Sequence, residues 1–152
     1  MPASDLIAML AAQAPPDLTS VALHPTGEAA LHAAIAAAGP GAVATLSHPA
    51  TPIPGALRAH SPYCFRCPLG LSFPSCEIAC LDSLASIVDT GDVAAVVIEP
   101  AAQVPGGMIT APPGHLRRVR DLCDTHGAAL IADERFTGAG AGGFFWAFTR
   151  DG

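Results

Sequence analysis

The segment VAAVVI at Val93–Ile98 places the strongest constraint on the fold, because it is an unbroken run of apolar residues. A strand with this pattern is buried on both faces, which is typical of a parallel sheet covered by helices on both sides. The run AALI at residues 128–131 has the same character. Between the two runs, His115–His126 carries apolar residues on one stripe and arginines on the other, as an amphipathic helix does. This strand–helix–strand order predicts an α/β fold with a parallel, doubly wound sheet and flanking helices.

The sequence upstream of these elements extends the same pattern. Apolar residues at helical spacing predict helices, and short apolar runs between turn-forming residues predict strands. The predicted helices are residues 4–13, 28–38 and 80–90, and the predicted strands are residues 18–23 and Ala42–Leu46. Residues 47–77 are rich in proline and cysteine, and we expect a long loop there. We expect residues 1–152 to form a single α/β domain that is part of a larger one, since about four strands are few for a free-standing sheet of this type.

Composition argues against several classes of function. A formal net charge of −6, with only 13% of residues charged, argues against a nucleic-acid-binding surface. The apolar runs are short and interrupted, well below the roughly 18 residues of a membrane-spanning helix, so no membrane partner is expected. The first residues include Asp5 and lack the basic segment of a secretion signal. We therefore expect a cytoplasmic protein.

An acidic pair follows the second apolar run directly. Asp133 and Glu134 stand where the strand at residues 128–131 is expected to end, and a glycine-rich loop comes next. Ligands of parallel sheets bind at the carboxyl ends of the strands, and a buried carboxylate there needs a cationic partner. From strand geometry alone, Asp133 is explained equally well as a ligand contact or as a cap of the next turn.

Thr26 and Gly27 stand directly before the predicted helix at residues 28–38. The start of a helix offers free N–H groups and the positive end of the helix dipole, which together suit a phosphate group. The hydroxyl of Thr26 would add a further donor. The alternative interpretation is an ordinary helix start without a ligand.

The order of several short motifs resembles the class III aminotransferases, pyridoxal-phosphate (PLP) enzymes of fold type I. The matching segments are TGEA at residues 26–29, YCFRCPLGLSFPSC at 63–76, VAAVVIEP at 93–100, GG at 106–107, PPGHLRRVRDLCDTHGAALIADE at 112–134, TG at 137–138 and WAFTRDG at 146–152. The resemblance implies part of the large domain of a fold type I PLP-transferase. It also implies that Asp133 faces the pyridine nitrogen of PLP and keeps it protonated, and that Thr26 and Gly27 bind the phosphate.

The chain contains no lysine, since all seven of its basic residues are arginines. The Schiff-base lysine that the resemblance implies is therefore absent, and the chain alone cannot form that bond. One hypothesis is a partial aminotransferase domain, completed by a partner chain or a homo-oligomer. The alternative is a degenerate relative without PLP, which acts as a binding or dimerising module or serves a different, lysine-free reaction.

Further departures from the family pattern surround the predicted site. Arg135 stands where a small β-branched residue usually packs against the cofactor ring, and Phe136 stands where a polar residue is usual. Ser47-His48-Pro49 replaces the family's aromatic-His-Gly sequence. A guanidinium would be repelled by a pyridinium. It could instead pair with Asp133 and occupy the cofactor's place.

Four of the five cysteines are clustered, at Cys64, Cys67, Cys76 and Cys80. Four thiolates at such spacing can form a tetrahedral zinc site. Free buried thiols are the alternative. We favour free thiols, because similar cysteine pairs occur in the matching stretch of some aminotransferases.

Overall fold

The computed structural model describes residues 2–18 and 20–151. The helices are α1 (Ala3–Gln13), α2 (Gly27–Ala37), α3 (Asp82–Val88) and α4 (His115–His126). The strands are β1 (Ala42–Leu46), β2 (Leu57–Ala59), β3 (Val93–Ile98), β4 (Ala102–Gln103), β5 (Ile109–Thr110) and β6 (Ala129–Ala132). Short 3-10 turns lie at Cys64–Arg66, Ala79–Leu81 and Ala147–Asp151. Within the described ranges, no helix is long and apolar enough to cross a membrane.

Strands β1 and β3 are the inner strands of a four-stranded sheet with the order β2–β1–β3–β6. Each of the three strand pairs is parallel. Every residue of β3 except Ala94 is buried, which explains why its sequence is apolar without alternation. The parallel α/β sheet predicted from the sequence is confirmed. β4 and β5 form a separate antiparallel hairpin in the connection that follows β3.

Helices cover both faces of the sheet. Successive residues of a strand point to opposite faces, and Val96 and Val97 accordingly belong to different clusters of buried side chains. Val96 packs in the cluster that contains Leu84 of α3 and Val119 of α4, both of which are 0% exposed. Val97 packs in a second cluster with Leu31 of α2. Helix α2 therefore lies on the opposite face from α3 and α4.

The predicted strand at residues 18–23 is wrong. Residues 20–23 have no regular secondary structure, and Leu18 and Leu23 are 57% and 44% exposed. Thr19 lies outside the described residues. The short apolar run resembles a strand in composition, but its described residues pair with no strand of the described sheets.

The predicted loop at residues 47–77 is interrupted by β2, which pairs with β1 at the edge of the sheet. Leu57 and Arg58 of this strand are exposed, so the strand has no apolar run that the sequence could reveal. The predicted helix at residues 80–90 is shorter than expected. Its first residues belong to the turn Ala79–Leu81, and α3 itself begins at Asp82.

Candidate functional site

Two buried carboxylates lie at the carboxyl ends of neighbouring strands. Glu99 follows β3 and Asp133 follows β6, and these residues are 7% and 8% exposed. The amide of Asp133 donates to the carbonyl of Ile98 at 2.7 Å, which continues the pairing of β3 with β6 beyond the last strand residue. Asp133 therefore lies at the edge of the sheet where ligands of this architecture bind.

The carboxylate of Asp133 is paired with the guanidinium of Arg135. Nε of Arg135 donates to Oδ1 of Asp133 at 2.8 Å, and Nη2 donates to Oδ2. The side chain of Asp133 is only 5% exposed, whereas that of Arg135 is 27% exposed. The hydrogen bond with Asp133 raises the pKa of Arg135 and outweighs the lowering effect of its burial. The buried carboxylate thus has a cationic partner within the chain.

The start of α2 has the features of an anion-binding helix terminus. Oγ1 of Thr26 caps the helix by accepting a hydrogen bond from the amide of Ala29 at 3.1 Å. Helix geometry leaves the amides of Gly27 and Glu28 without a partner inside α2, and the positive end of the helix dipole lies at the same place. Thr26 therefore makes an ordinary helix cap, and that cap leaves two amides and a hydroxyl proton available to an anion.

Gly27 lies directly against the stem of Arg135. A Cβ atom added to Gly27 would be 2.3 Å from Cδ and 3.0 Å from Cγ of Arg135. Only a glycine allows the arginine stem to pass this close to the first turn of α2. Arg135 contacts Gly27 with its stem and Asp133 with its guanidinium. The predicted site residues Thr26, Gly27 and Asp133 are thus brought together at one edge of the sheet.

The family model of the class III aminotransferases matches residues 6–152. The chain belongs to this family. An adenosylmethionine-8-amino-7-oxononanoate aminotransferase from Geobacter sulfurreducens is 46% identical over 99 residues, which are 63% of this chain and 22% of the relative. A 5-aminovalerate aminotransferase from Pseudomonas putida is 42% identical over 78 residues, which are 47% of this chain and 18% of the relative. The matched segments cover about a fifth of the length of these relatives.

Solved structures of aminotransferases share the fold. An amine transaminase from an uncultivated Pseudomonas species, in a PLP-bound form, matches 95% of this chain and 40% of its own with a TM-score of 0.76 at 23% identity. An N-acetylornithine aminotransferase from Stenotrophomonas maltophilia matches 98% of this chain and 37% of its own with a TM-score of 0.73 at 26% identity. The expected fold, part of a fold type I transferase domain, is confirmed.

Two further buried polar residues, Glu99 and Gln103, lie beside this site and are not among the residues predicted from the sequence. Oε2 of Glu99 accepts a hydrogen bond from the amide of Val104 at 3.2 Å, and Nε2 of Gln103 donates to the carbonyl of His48 at 3.0 Å. Burial raises the pKa of Glu99, and the nearby charge of Asp133 adds to this effect. The Glu-Pro pair that follows the central strand is the signal that could have indicated a buried acid here. These bonds fix the loops after β1 and β3 beside Asp133.

Glu134 forms hydrogen bonds with different residues from those that its neighbour Asp133 contacts. Its Oε2 accepts hydrogen bonds from Oγ1 of Thr137 at 3.1 Å and from the amide of Ala147 at 3.0 Å. Its Oε1 accepts from the amide of Phe148 at 2.8 Å. Glu134 therefore ties the turn Ala147–Asp151 to the loop after β6 and takes no part in the pair with Arg135.

The cysteine cluster faces a pocket formed by residues 61–80 and Pro112. Cys64, Cys67, Cys76 and Cys80 are free thiols, but the expectation that they are buried is wrong. Cys64 is exposed and the other three are only partly buried. Among the described residues, no group of three or more His, Cys, Asp or Glu side chains is positioned to hold a metal ion. Burial, together with the three neighbouring thiols, raises the pKa of Cys80 to about 11, so this thiol is protonated at neutral pH.

Proposed function

We propose that this chain is part of a PLP-dependent aminotransferase and supplies two contacts to the cofactor. In this proposal Asp133 binds the pyridine nitrogen, and Thr26 with Gly27 binds the phosphate. The observation that carries the proposal is the position of Arg135, whose single side chain reaches from Gly27 to Asp133. Gly27 and Asp133 are therefore no farther apart than the length of one arginine side chain, a distance suited to a small ligand.

The residues present fit the two ends of PLP. The buried carboxylate of Asp133 suits a protonated ring nitrogen, because it already requires a cationic partner. The free amides at the start of α2, with the Thr26 hydroxyl, suit a phosphate. The space between these ends is crossed by the Arg135 side chain, which has to move aside for the ring to enter.

In this role the chain binds and orients the cofactor and maintains its charge. PLP, when bound, supplies an electron sink that stabilises negative charge at the α-carbon of an amino substrate. Asp133 would hold a proton at the ring nitrogen, because its buried carboxylate favours a cationic partner. The start of α2 would hold the phosphate group.

The lysine of the reaction has to come from outside these 152 residues, because they contain none. The matched segments cover about a fifth of the length of the curated relatives, so other parts of such an enzyme have room to supply the lysine. A homo-oligomer or a partner chain that completes the domain stays our expectation. Exposed aromatic residues, Phe136, Phe144 and Phe145, support an interface near the loop that follows Asp133. A cytoplasmic location also stays a prediction.

Binding of PLP to the purified chain tests this proposal. We expect equilibrium dialysis to show reversible PLP binding that Asp133→Asn weakens strongly, because the neutral amide cannot balance a protonated ring nitrogen. The control is Asp121→Ala, which removes an exposed acid on α4 and should leave the binding unchanged. After borohydride treatment, peptide mapping should find no PLP on any side chain.

Unchanged affinity in Asp133→Asn would show that the site is assigned wrongly. Failure of the wild-type chain and of all its variants to bind PLP would favour the alternative, a lysine-free relative that serves as a binding module. The family match over residues 6–152 favours the aminotransferase.

A further inference from the structure

We propose that Arg135 competes with the cofactor for Asp133. The guanidinium binds Asp133 until PLP displaces the guanidinium, and this competition sets the affinity of the chain for PLP. This inference rests on the proposed function and concerns how the same site is filled. It assigns a role to a residue that departs from the family pattern.

The first argument is that Arg135 uses the atoms that the cofactor needs. Its Nε and Nη2 donate to the two carboxylate oxygens of Asp133, and its backbone amide also donates to Oδ1 at 3.3 Å. A protonated ring nitrogen requires one of these oxygens as its acceptor. Because the guanidinium binds both oxygens, the ring nitrogen and the guanidinium cannot hold Asp133 in the same way at once.

The second argument is steric. The stem of Arg135 lies so close to Gly27 that not even a methyl group fits between them. The side chain of Arg135 therefore runs from the start of α2 to the carboxylate of Asp133. A ring that bridges the same two points has to replace the stem as well as the guanidinium.

The third argument is electrostatic. The side chain of Asp133 is 5% exposed, and a buried carboxylate is stable only with a cationic or hydrogen-bonding partner. The guanidinium meets this need in the free chain, and a pyridinium would meet it in the complex. Two cations placed together against one carboxylate would repel each other. The site is therefore suited to one cation at a time.

Arg135 also has a route out of the site. Its side chain is 27% exposed, and the residue lies in a turn that continues into the glycine-rich loop after β6. The guanidinium can therefore rotate into solvent while Asp133 stays in place. If the outward conformer is populated about one time in ten, the apparent affinity for PLP is about tenfold weaker than the intrinsic affinity.

The test compares PLP binding by the full 152-residue chain and its variants, with equilibrium dialysis as the readout. Arg135→Val opens the space and leaves Asp133 without its partner, so we expect PLP to bind about tenfold more tightly or better. Arg135→Gln keeps a hydrogen-bonding side chain near Asp133, and we expect a smaller gain. It also preserves the test if the valine variant fails to fold. Arg58→Val is the matched control, because Arg58 is an exposed arginine on β2 and its loss should not change the affinity.

A second measurement separates competition from a general loosening of the fold. Without PLP, Arg135→Val should melt at a lower temperature than the wild type, because Asp133 is left buried and unpaired. Saturating PLP should raise the melting temperature of this variant more than that of the wild type, because the cofactor then supplies the missing cation.

Each outcome has a distinct meaning. Equal affinity in the wild type and in both Arg135 variants would overturn the inference and leave the proposed function standing. Weaker binding in both variants would also overturn it, because Arg135 would then hold the cofactor. Binding by the variants but not by the wild type would support both proposals. An absence of binding in all the proteins would overturn the proposed function and the competition together.

Discussion

The contact between Gly27 and Arg135 leads to a prediction that depends on no ligand. Gly27→Ala places a methyl group 2.3 Å from Cδ of Arg135, so the arginine stem has to leave its position. The guanidinium then loses its alignment with Asp133, whose side chain is 5% exposed. We expect the substitution to destabilise the folded chain because it disrupts the ion pair of Arg135 with Asp133, although alanine is the better helix-forming residue.

The magnitude follows from two opposing contributions. Replacing glycine by alanine in a helix stabilises it by up to about 1 kcal/mol. Losing hydrogen bonds between charged groups at a buried carboxylate costs about 1–3 kcal/mol. We therefore expect Gly27→Ala to lower the free energy of unfolding by about 1 kcal/mol in the wild-type background. With Arg135→Val already present, the clash is gone, and Gly27→Ala should be neutral or stabilising by up to about 1 kcal/mol.

Urea denaturation of the wild type, the two single variants and the double variant measures how the effect of Gly27→Ala on the free energy of unfolding depends on Arg135. The control is Gly142→Ala, whose added Cβ would meet no atom within 4 Å, and whose effect should be the same in both backgrounds. An interaction energy between Gly27→Ala and Arg135→Val below about 0.5 kcal/mol would refute the reasoning, because independent sites are additive within that range.

Two further predictions concern the cysteine cluster and Glu134. At about pH 8 alkylation of Cys80 should be slower than that of the exposed Cys64, because only the thiolate reacts. It should accelerate as the pH rises toward the Cys80 pKa of about 11, and equal rates in peptide mass spectrometry would contradict this. Glu134→Ala removes the acceptor of three hydrogen bonds and should lower the free energy of unfolding by about 2–3 kcal/mol. The fluorescence of Trp146 should change with it, and an unchanged spectrum and stability would show that Glu134 does not hold the turn Ala147–Asp151.

The central part of the fold could be predicted because its sequence pattern is set by burial. Every residue of β3 except Ala94 is buried, so the apolar run and the observed strand have the same bounds. Helix α4 was predicted with its exact limits because its apolar stripe packs on the sheet and Gly127, with a φ of 70°, ends it. The three-residue edge strand β2 could not be predicted, because exposed residues of an edge strand need not be apolar.

The candidate site was predictable in its residues and only partly in its contacts. The strand end at Asp133 and the helix start at Thr26 leave local signals in the sequence, and Arg135 is close enough in sequence to Asp133 for a pair to be considered. The close approach of Arg135 to Gly27 is a tertiary contact and leaves no local signal. The buried bond between Gln103 and the carbonyl of His48 was missed for the same reason, since it joins two loops.

The charge of the bound cofactor tests the central claim most directly. With PLP labelled with nitrogen-15 in its ring and added at saturating concentration, the nitrogen chemical shift reports whether the ring nitrogen is protonated. The proposed contact with Asp133 predicts a protonated nitrogen in the wild-type complex above neutral pH and a deprotonated one in Asp133→Asn. The same shift in both complexes would contradict the assignment of Asp133 to the ring nitrogen.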